Sequence, residues 1–308
     1  MGRYTIRRLL QLIPVVIGTT FLIYVAVWAL PGDPFAGKCG DKPCPAEYVA
    51  QMTEKYNLND NVIVAYFKYL GQLLQGNLGE TFAGRQVIDE LARAFPVTLR
   101  LALVAIFFEI IIGITAGILA ALRRGKFLDN LVLVSTLLVI SIPVFVIGYL
   151  AQFIFAIKLG WFPPTVGAGA SLYDYILPGL VLASLSLAYV ARLTRSSLGE
   201  NLRADYVRTA VAKGVPRGQV VRKHALRNSM IPVVTFIGAD FGALLGGAIV
   251  TEGIFNIAGF GGLIYQSIRL REGTTVVALV TVLVLIFLLV NLFVDLLYGL
   301  IDPRIRYE

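Results

Sequence analysis

Six separate apolar runs, each close to the length of a membrane-crossing helix, constrain this chain before any motif is considered. They occupy residues 9–30, 99–122, 131–157, 176–191, 232–250 and 275–301. A helix needs about 20 apolar residues to cross about 30 Å of hydrocarbon. Lipid also forbids exposed sheet edges and irregular backbone, because neither can satisfy its own polar groups. The expected fold class is an all-α polytopic membrane protein with six transmembrane helices. Of 308 residues, 57% are hydrophobic and only 15% charged, a balance that excludes a soluble domain.

Short connections orient the runs. Arg123, Arg124 and Lys126 follow the second run, the tail carries Arg304 and Arg306, and the largest basic cluster lies between Arg192 and Arg227. Residues 158–175 contain one basic side chain, Lys158. Lys and Arg accumulate on the cytoplasmic side, so both termini are expected in the cytoplasm. This placement also accounts for the net charge of +8 without a nucleic-acid partner. Residues 1–8 carry Arg3, Arg7 and Arg8 ahead of the first run, as a signal peptide would. The apolar core is too long for one, however, and Leu30-Pro31-Gly32-Asp33-Pro34 reads as a turn rather than a cleavage site. An uncleaved first crossing is expected. The division is then residues 1–30 as the first helix, 31–98 as an extracytoplasmic insert, 99–301 as a five-helix core and 302–308 as a cytoplasmic tail. Within the insert, helices are expected over 47–58, 62–74 and 86–95, the last ending before Pro96.

The external placement of the insert bears on the two cysteines, Cys39 and Cys44. In an oxidising compartment they can close a small disulfide ring around Gly40 and Pro43; the alternative is two free thiols. A metal site is not expected from two cysteines and a single histidine, His224, which also rules out a Ser-His pair.

Polar groups in apolar runs are expensive and need protein or water around them. Glu109, Asp240 and Asp295 are such groups, read either as parts of a polar pathway or gate or as helix–helix hydrogen bonds. Gly238, Ala239, Gly242, Ala243, Gly246 and Gly247 give the fifth run a face for close packing around Asp240. Pro143 predicts a kink in the third run. Residues 252–273 contain Phe255, Phe260 and Tyr265 among Gly259, Gly261 and Gly262. Gly-broken apolar backbone at membrane depth must be buried or line a cavity, so Phe255 and Phe260 are gate candidates in a re-entrant or interfacial element, against the alternative of a loose turn.

Residues 201–227 form the one cytoplasmic loop with its own architecture. Asp205 can cap a helix from 206 to 213, Lys213 suits the negative end of its dipole, and Gly214 with Pro216 ends it. Ala204, Thr209, Ala210 and Ala212 keep it thin enough for another protein to approach. It is either a docking helix or a positive-inside loop that folds neatly. No Gly-x-x-x-x-Gly-Lys-Ser/Thr phosphate loop, Gly-x-Ser-x-Gly elbow or His-Glu-x-x-His motif is present. A passive pathway with energy from another subunit is the expectation; a proton-coupled secondary carrier using Glu109 or Asp240 is the rival, though duplicated halves are not evident.

The loop resembles the cytoplasmic coupling loop of ABC importer permeases. The general pattern is Glu-Ala-Ala, three residues, Gly, nine residues, then Ile-x-Leu-Pro. Here Arg208-Thr209-Ala210 stands at the first triplet, Gly214 at the Gly, and His224-Ala225-Leu226-Arg227 at the last block. The replaced Glu and Pro are similar to the peptide branch. Leu30-Pro31-Gly32-Asp33-Pro34, Gly76-Asn77-Leu78-Gly79, Pro96-Val97-Thr98-Leu99, Ser141-Ile142-Pro143-Val144-Phe145, Thr251-Glu252-Gly253-Ile254-Phe255 and Asp302-Pro303-Arg304 extend the likeness to the first permease subunit of dipeptide/oligopeptide importers. The resemblance implies a type I permease fold in the cytoplasmic membrane of a prokaryote. It implies a heterodimer with a second homologous permease, two ATPase subunits that bind ATP and Mg, and an extracytoplasmic binding protein that delivers peptide, with no cofactor on this chain. It implies ATPase coupling through Asp205, Tyr206, Arg208, Thr209, Ala210, Lys213 and Gly214. Related permeases for nickel or other small solutes share these features. The cysteine pair lies outside the family pattern.

Overall fold

The computed structural model describes residues 2–29, 44–55, 59–81, 83–167 and 169–301. Cys39, the Leu30–Pro34 turn and the 302–308 tail lie outside the described residues. Among those described, regular structure is helical, apart from an antiparallel bridge between Glu80 and Gln86. The helices are α1 (Gly2–Trp28), α2 (Ala46–Lys55), α3 (Val62–Leu74), α4 (Val87–Phe108), α5 (Thr115–Leu122), α6 (Phe127–Ser141), α7 (Val144–Ala151), α8 (Ile176–Asn201), α9 (Asp205–Ala212), α10 (Arg217–Gln219), α11 (Leu226–Ile254), α12 (Phe260–Arg269) and α13 (Gly273–Ile301). Widened π-helical turns join α4 to α5 (Glu109–Ile114), extend α7 (Gln152–Lys158) and join α10 to α11 (Val220–Ala225).

Five stretches are long and apolar enough to cross a membrane unbroken, and the α6–α7 pair brings the number to six if it counts as one span. That pair is bent by 103°, far more than the kink expected at Pro143. Ile142 and Pro143 both take extended backbone angles, as the residue before a proline is driven to do. The helix therefore stops and restarts.

The second difference concerns Pro96. The short helix expected over 86–95 is the opening of α4, which runs through Pro96 into the second crossing. A proline inside a helix removes one hydrogen bond and crowds the preceding turn. Here packing on both sides outweighs that cost. Leu91 and Ala94 pack with Phe260, Ile264, Ala278 and Leu279, while Leu101, Ala102 and Ala105 pack with Leu177, Val181, Leu244 and Ala248. Both halves are thereby held to one axis.

The insert is fastened to the bundle by aromatics. Tyr66 of α3 is buried and donates to the Ile17 carbonyl at 2.9 Å, beside the Thr20 hydroxyl, also at 2.9 Å. Tyr69 donates to Thr281 of α13 at 2.9 Å.

α8 is the axis of the bundle and packs against α4, α5, α6, α7 and α11. Its contact with α5 is close enough to exclude side chains: a Cβ on Gly117 would lie 2.5 Å from the Ala191 carbonyl oxygen and from Thr194 Cβ. Small residues at such a crossing let backbones meet where no hydrophobic drive separates helix from lipid. Gly117→Leu is expected to lower the stability of the purified chain by about 1–3 kcal/mol, read as a reduced thermal midpoint in detergent; an unchanged midpoint would remove Gly117 from this role.

Candidate functional site

Three polar constellations stand out, one at each end of the bundle and one between. At the end expected to face the cytoplasm, α9 packs chiefly on the Val220–Ala225 turn and shares an apolar cluster with the tips of α5 and α8. Val207 and Ala210 are buried, and they pack with Ala121, Leu198, Val220 and Ala225. Tyr206, Arg208, Thr209, Val211, Ala212 and Lys213 are exposed on the other sides. Gly214 follows with φ +77°, and its N–H donates to the Val211 carbonyl at 2.9 Å. That left-handed conformation is nearly free for glycine and costly for other residues. Pro216 then opens the short α10, so the loop is two helices on a tight turn.

Two expectations change here. Asp205 is the first residue of the helix rather than its cap; Ala204 holds the cap position, with no side-chain bond. The carboxylate instead acts in the first turn, by its charge against the dipole and by an exposed contact with Arg208 at 3.6 Å. Ala210 does not belong to an outward docking face. Its Cβ is turned into the bundle, because Val207 and Ala210 are three apart and share the apolar stripe. Asp205, Tyr206, Arg208, Thr209, Lys213 and Gly214 remain exposed together.

At the opposite end, residues 252–269 form a turn and a helix, not a loose segment. Glu252 is fully buried near the end of α11. Its Oε1 accepts from Thr98 Oγ1 at 2.5 Å and its Oε2 from the Gly262 N–H at 2.6 Å. Thr98 in turn accepts from the Phe260 N–H at 2.7 Å. The carboxylate thus occupies the N-terminus of α12, where unpaired amides and the dipole favour an anion, and ties α4, α11 and α12 at one point. Gly259 and Gly261 allow the approach: a Cβ would fall 2.5 Å from Glu252 Oε1 at the first and 2.6 Å from Ile249 Cα at the second. Phe255 and Phe260 are buried in two different clusters. In this conformation they anchor the turn at both ends and do not line an open path.

Between these ends, Glu109 lies on the widened turn after α4 and is fully buried. Asp240 on α11 is its nearest acidic neighbour, and Ser186 of α8 stands beside Asp240. No protein donor reaches either Glu109 oxygen. Carboxylates only accept, so the two can hydrogen-bond only when one carries a proton. The structure therefore brings Glu109 and Asp240 together between the helices. Asp295 has its backbone in α13.

Sequence reasoning assigned no role to Thr98, Asp129, Arg195 or Glu252. Arg195 and Asp129 are joined by two bonds from one guanidinium edge, Nε to Oδ1 and Nη2 to Oδ2. Each of these residues carries the available signal, a polar group at the margin of an apolar run, but nothing in one dimension pairs them.

Among the described residues, the helical bundle with its split span and its structured basic loop has the architecture of a multi-pass membrane protein. Its fold matches a chain of the MetNI methionine ABC transporter in inward-facing form, with a TM-score of 0.57 over 70% of this chain and 97% of that one, at 20% identity. The family model described as binding-protein-dependent transport system inner membrane component matches residues 113–307, and its N-terminal counterpart matches residues 1–102. The chain belongs to this family of inner-membrane transport components. It is 38% identical over 334 residues to the dipeptide transport system permease protein DppB of Alkalihalophilus pseudofirmus, and 40% identical over 309 residues to the glutathione transport system permease protein GsiC of Escherichia coli K12. Each alignment covers all of both chains.

Replacing Thr98 by Val keeps its shape while removing a donor to Glu252 and an acceptor for Phe260. The expected loss is about 1–3 kcal/mol for stranded buried partners, with faster amide exchange at Phe260 and Gly262. Unchanged exchange at both amides would show that the network does not hold α12.

Proposed function

We propose that this chain is one of two permease subunits of an ATP-driven importer of dipeptides or oligopeptides. The observation that carries the reading is full-length similarity to permeases named for a dipeptide and for glutathione, two substrates that share peptide chemistry. The partners are a second, homologous permease, two ATPase subunits carrying ATP and Mg, and an external peptide-binding protein.

In this reading α9 docks on an ATPase through its exposed side. Tyr206 and Val211, at 41% and 58% exposure, supply apolar contact. Arg208 and Lys213 add rim charges that steer more than they bind. Closure of the ATP-bound ATPase pair displaces α9, and because Val207 and Ala210 are buried against α5 and α8, that displacement passes to the bundle. The bundle then opens outward to receive peptide, and hydrolysis resets it. Glu109 and Asp240 sit where a proton relay would be placed, so the test must separate the two energy sources.

Uptake of labelled peptides into vesicles holding the complete transporter is expected with ATP and without a proton gradient. Uptake that follows the gradient and ignores ATP would replace the proposal with a secondary carrier. Saturation by nickel or another small solute in place of peptides would change the substrate. Val211→Asp places a charge on the docking side without touching the inner face. It is expected to reduce recovery of the ATPases with the permease about tenfold, as loss of an apolar interface anchor does, while the thermal midpoint of the permease stays the same. A further expectation concerns the insert: non-reducing mass spectrometry should find Cys39 linked to Cys44, and two alkylatable thiols would refute the ring.

A further inference from the structure

The bundle end that carries α9 also holds a buried ion pair to which the reading above gives no role. Asp129 lies in the first turn of α6 with 3% of its side chain exposed, and Arg195 lies on α8 with 21% exposed. The guanidinium presents Nε to Oδ1 and Nη2 to Oδ2, the second bond at 2.9 Å. The Gly125 N–H also donates to Oδ2, at 2.8 Å, which brings the α5–α6 turn into the same network. A two-pronged arginine–carboxylate contact fixes orientation as well as distance. Such a pair adds little net stability over a well-packed apolar filling, because both charges must leave water. Its distinctive property is directional stiffness.

The surroundings supply something for a stiff link to transmit. One turn beyond Arg195, Leu198 is fully buried in the apolar cluster that also holds Val207 and Ala210 of α9, Ala121 of α5, and Val220 and Ala225 of the π-helical turn. α5 joins the same body through the Gly117 crossing, where its backbone touches that of α8. A displacement of α9 therefore reaches α5 and α8 together. α6 packs chiefly on these two helices, and much of its surface is aliphatic and exposed, including Leu131, Val134, Leu137 and Leu138. Aliphatic contacts permit sliding along a helix; the ion pair does not. Beyond α6 the chain bends by 103° into α7, so the tilt of α6 sets where α7 points.

We propose that Asp129 and Arg195 are positioning residues that make α6 travel with α8 when α9 is displaced, delivering movement from the ATPase end to the bent α6–α7 span. This rests on α9 being the ATPase-docking helix. Arg195 is suited to the role in a way lysine is not, since a lysine ammonium lacks the planar fork.

The test uses the complete transporter in proteoliposomes. Spin labels at exposed Lys126 and Ser196, with the ion pair intact, are expected to keep their separation within about 2 Å between nucleotide-free and ATP-trapped states; slippage by one helical turn would change it by about 5 Å. Asp129→Asn is expected to leave binding-protein-stimulated ATP hydrolysis within about twofold while uptake per ATP falls about tenfold, because removing one partner strands the other. Arg195→Lys, which keeps the charge and loses the fork, is expected to fall between. A label separation that shifts by a turn during normal uptake would overturn the proposal. So would wild-type uptake per ATP in Asp129→Asn, or equal loss of hydrolysis and uptake in an assembled complex. Failure of the docking assignment would look different: Val211→Asp would retain its ATPases, a result independent of the ratio measured for Asp129→Asn.

Discussion

Hydrocarbon offers no hydrogen-bond partner, and that single constraint shapes both the backbone and the buried polar groups of this chain. Helices satisfy the backbone internally. The polar side chains then divide into three solutions. Glu252 takes one donor on each oxygen, from Thr98 and from the Gly262 amide in the first turn of α12. Asp129 takes an arginine and a turn amide. Glu109 and Asp240 lie beside each other. The first two arrangements join elements at the ends of the bundle, where helices begin and amides are free. The third lies where amides are already used, and so relies on a second acid.

These groups are joined by α8. It touches most of the other crossings, meets α5 at backbone distance through Gly117, and carries Arg195 one turn before Leu198. The 201–227 loop is therefore attached to the most central helix of the bundle, and its inner face is part of the core. This explains why α9 has both a small residue turned inward, Ala210, and a longer apolar residue turned out, Val211. The inner positions must fit a packed surface, whereas the outer ones are free to suit a partner. The π-helical turn after α10 has a related effect, since it carries the chain from the loop into α11 without a break.

Much of the architecture was legible in one dimension because it depends on local rules. Apolar length placed the crossings, the Gly214 turn was required by its backbone, and the 62–74 helix followed from its period. What was not legible depended on competition between local and distant terms. Pro96 argued for an end to the helix, and packing on α8, α11, α12 and α13 overrode it. Asp205 had the chemistry of a cap, yet the helix began one residue earlier than that role needs. Phe255 and Phe260 were gate candidates by composition, and only the fold places them in two separate buried clusters.

The sequence by itself determined that this chain spans a membrane, which loops carry the positive charge, and that one of them is a structured helix pair; hydropathy, charge and turn chemistry act over short distances. Only the tertiary structure decided which face of α9 is free, which carboxylates meet which donors, and that Asp129 and Arg195, 66 residues apart, form one link. Partner choice among buried polar groups is set by where helices cross, and crossing is decided by the packing of the whole bundle.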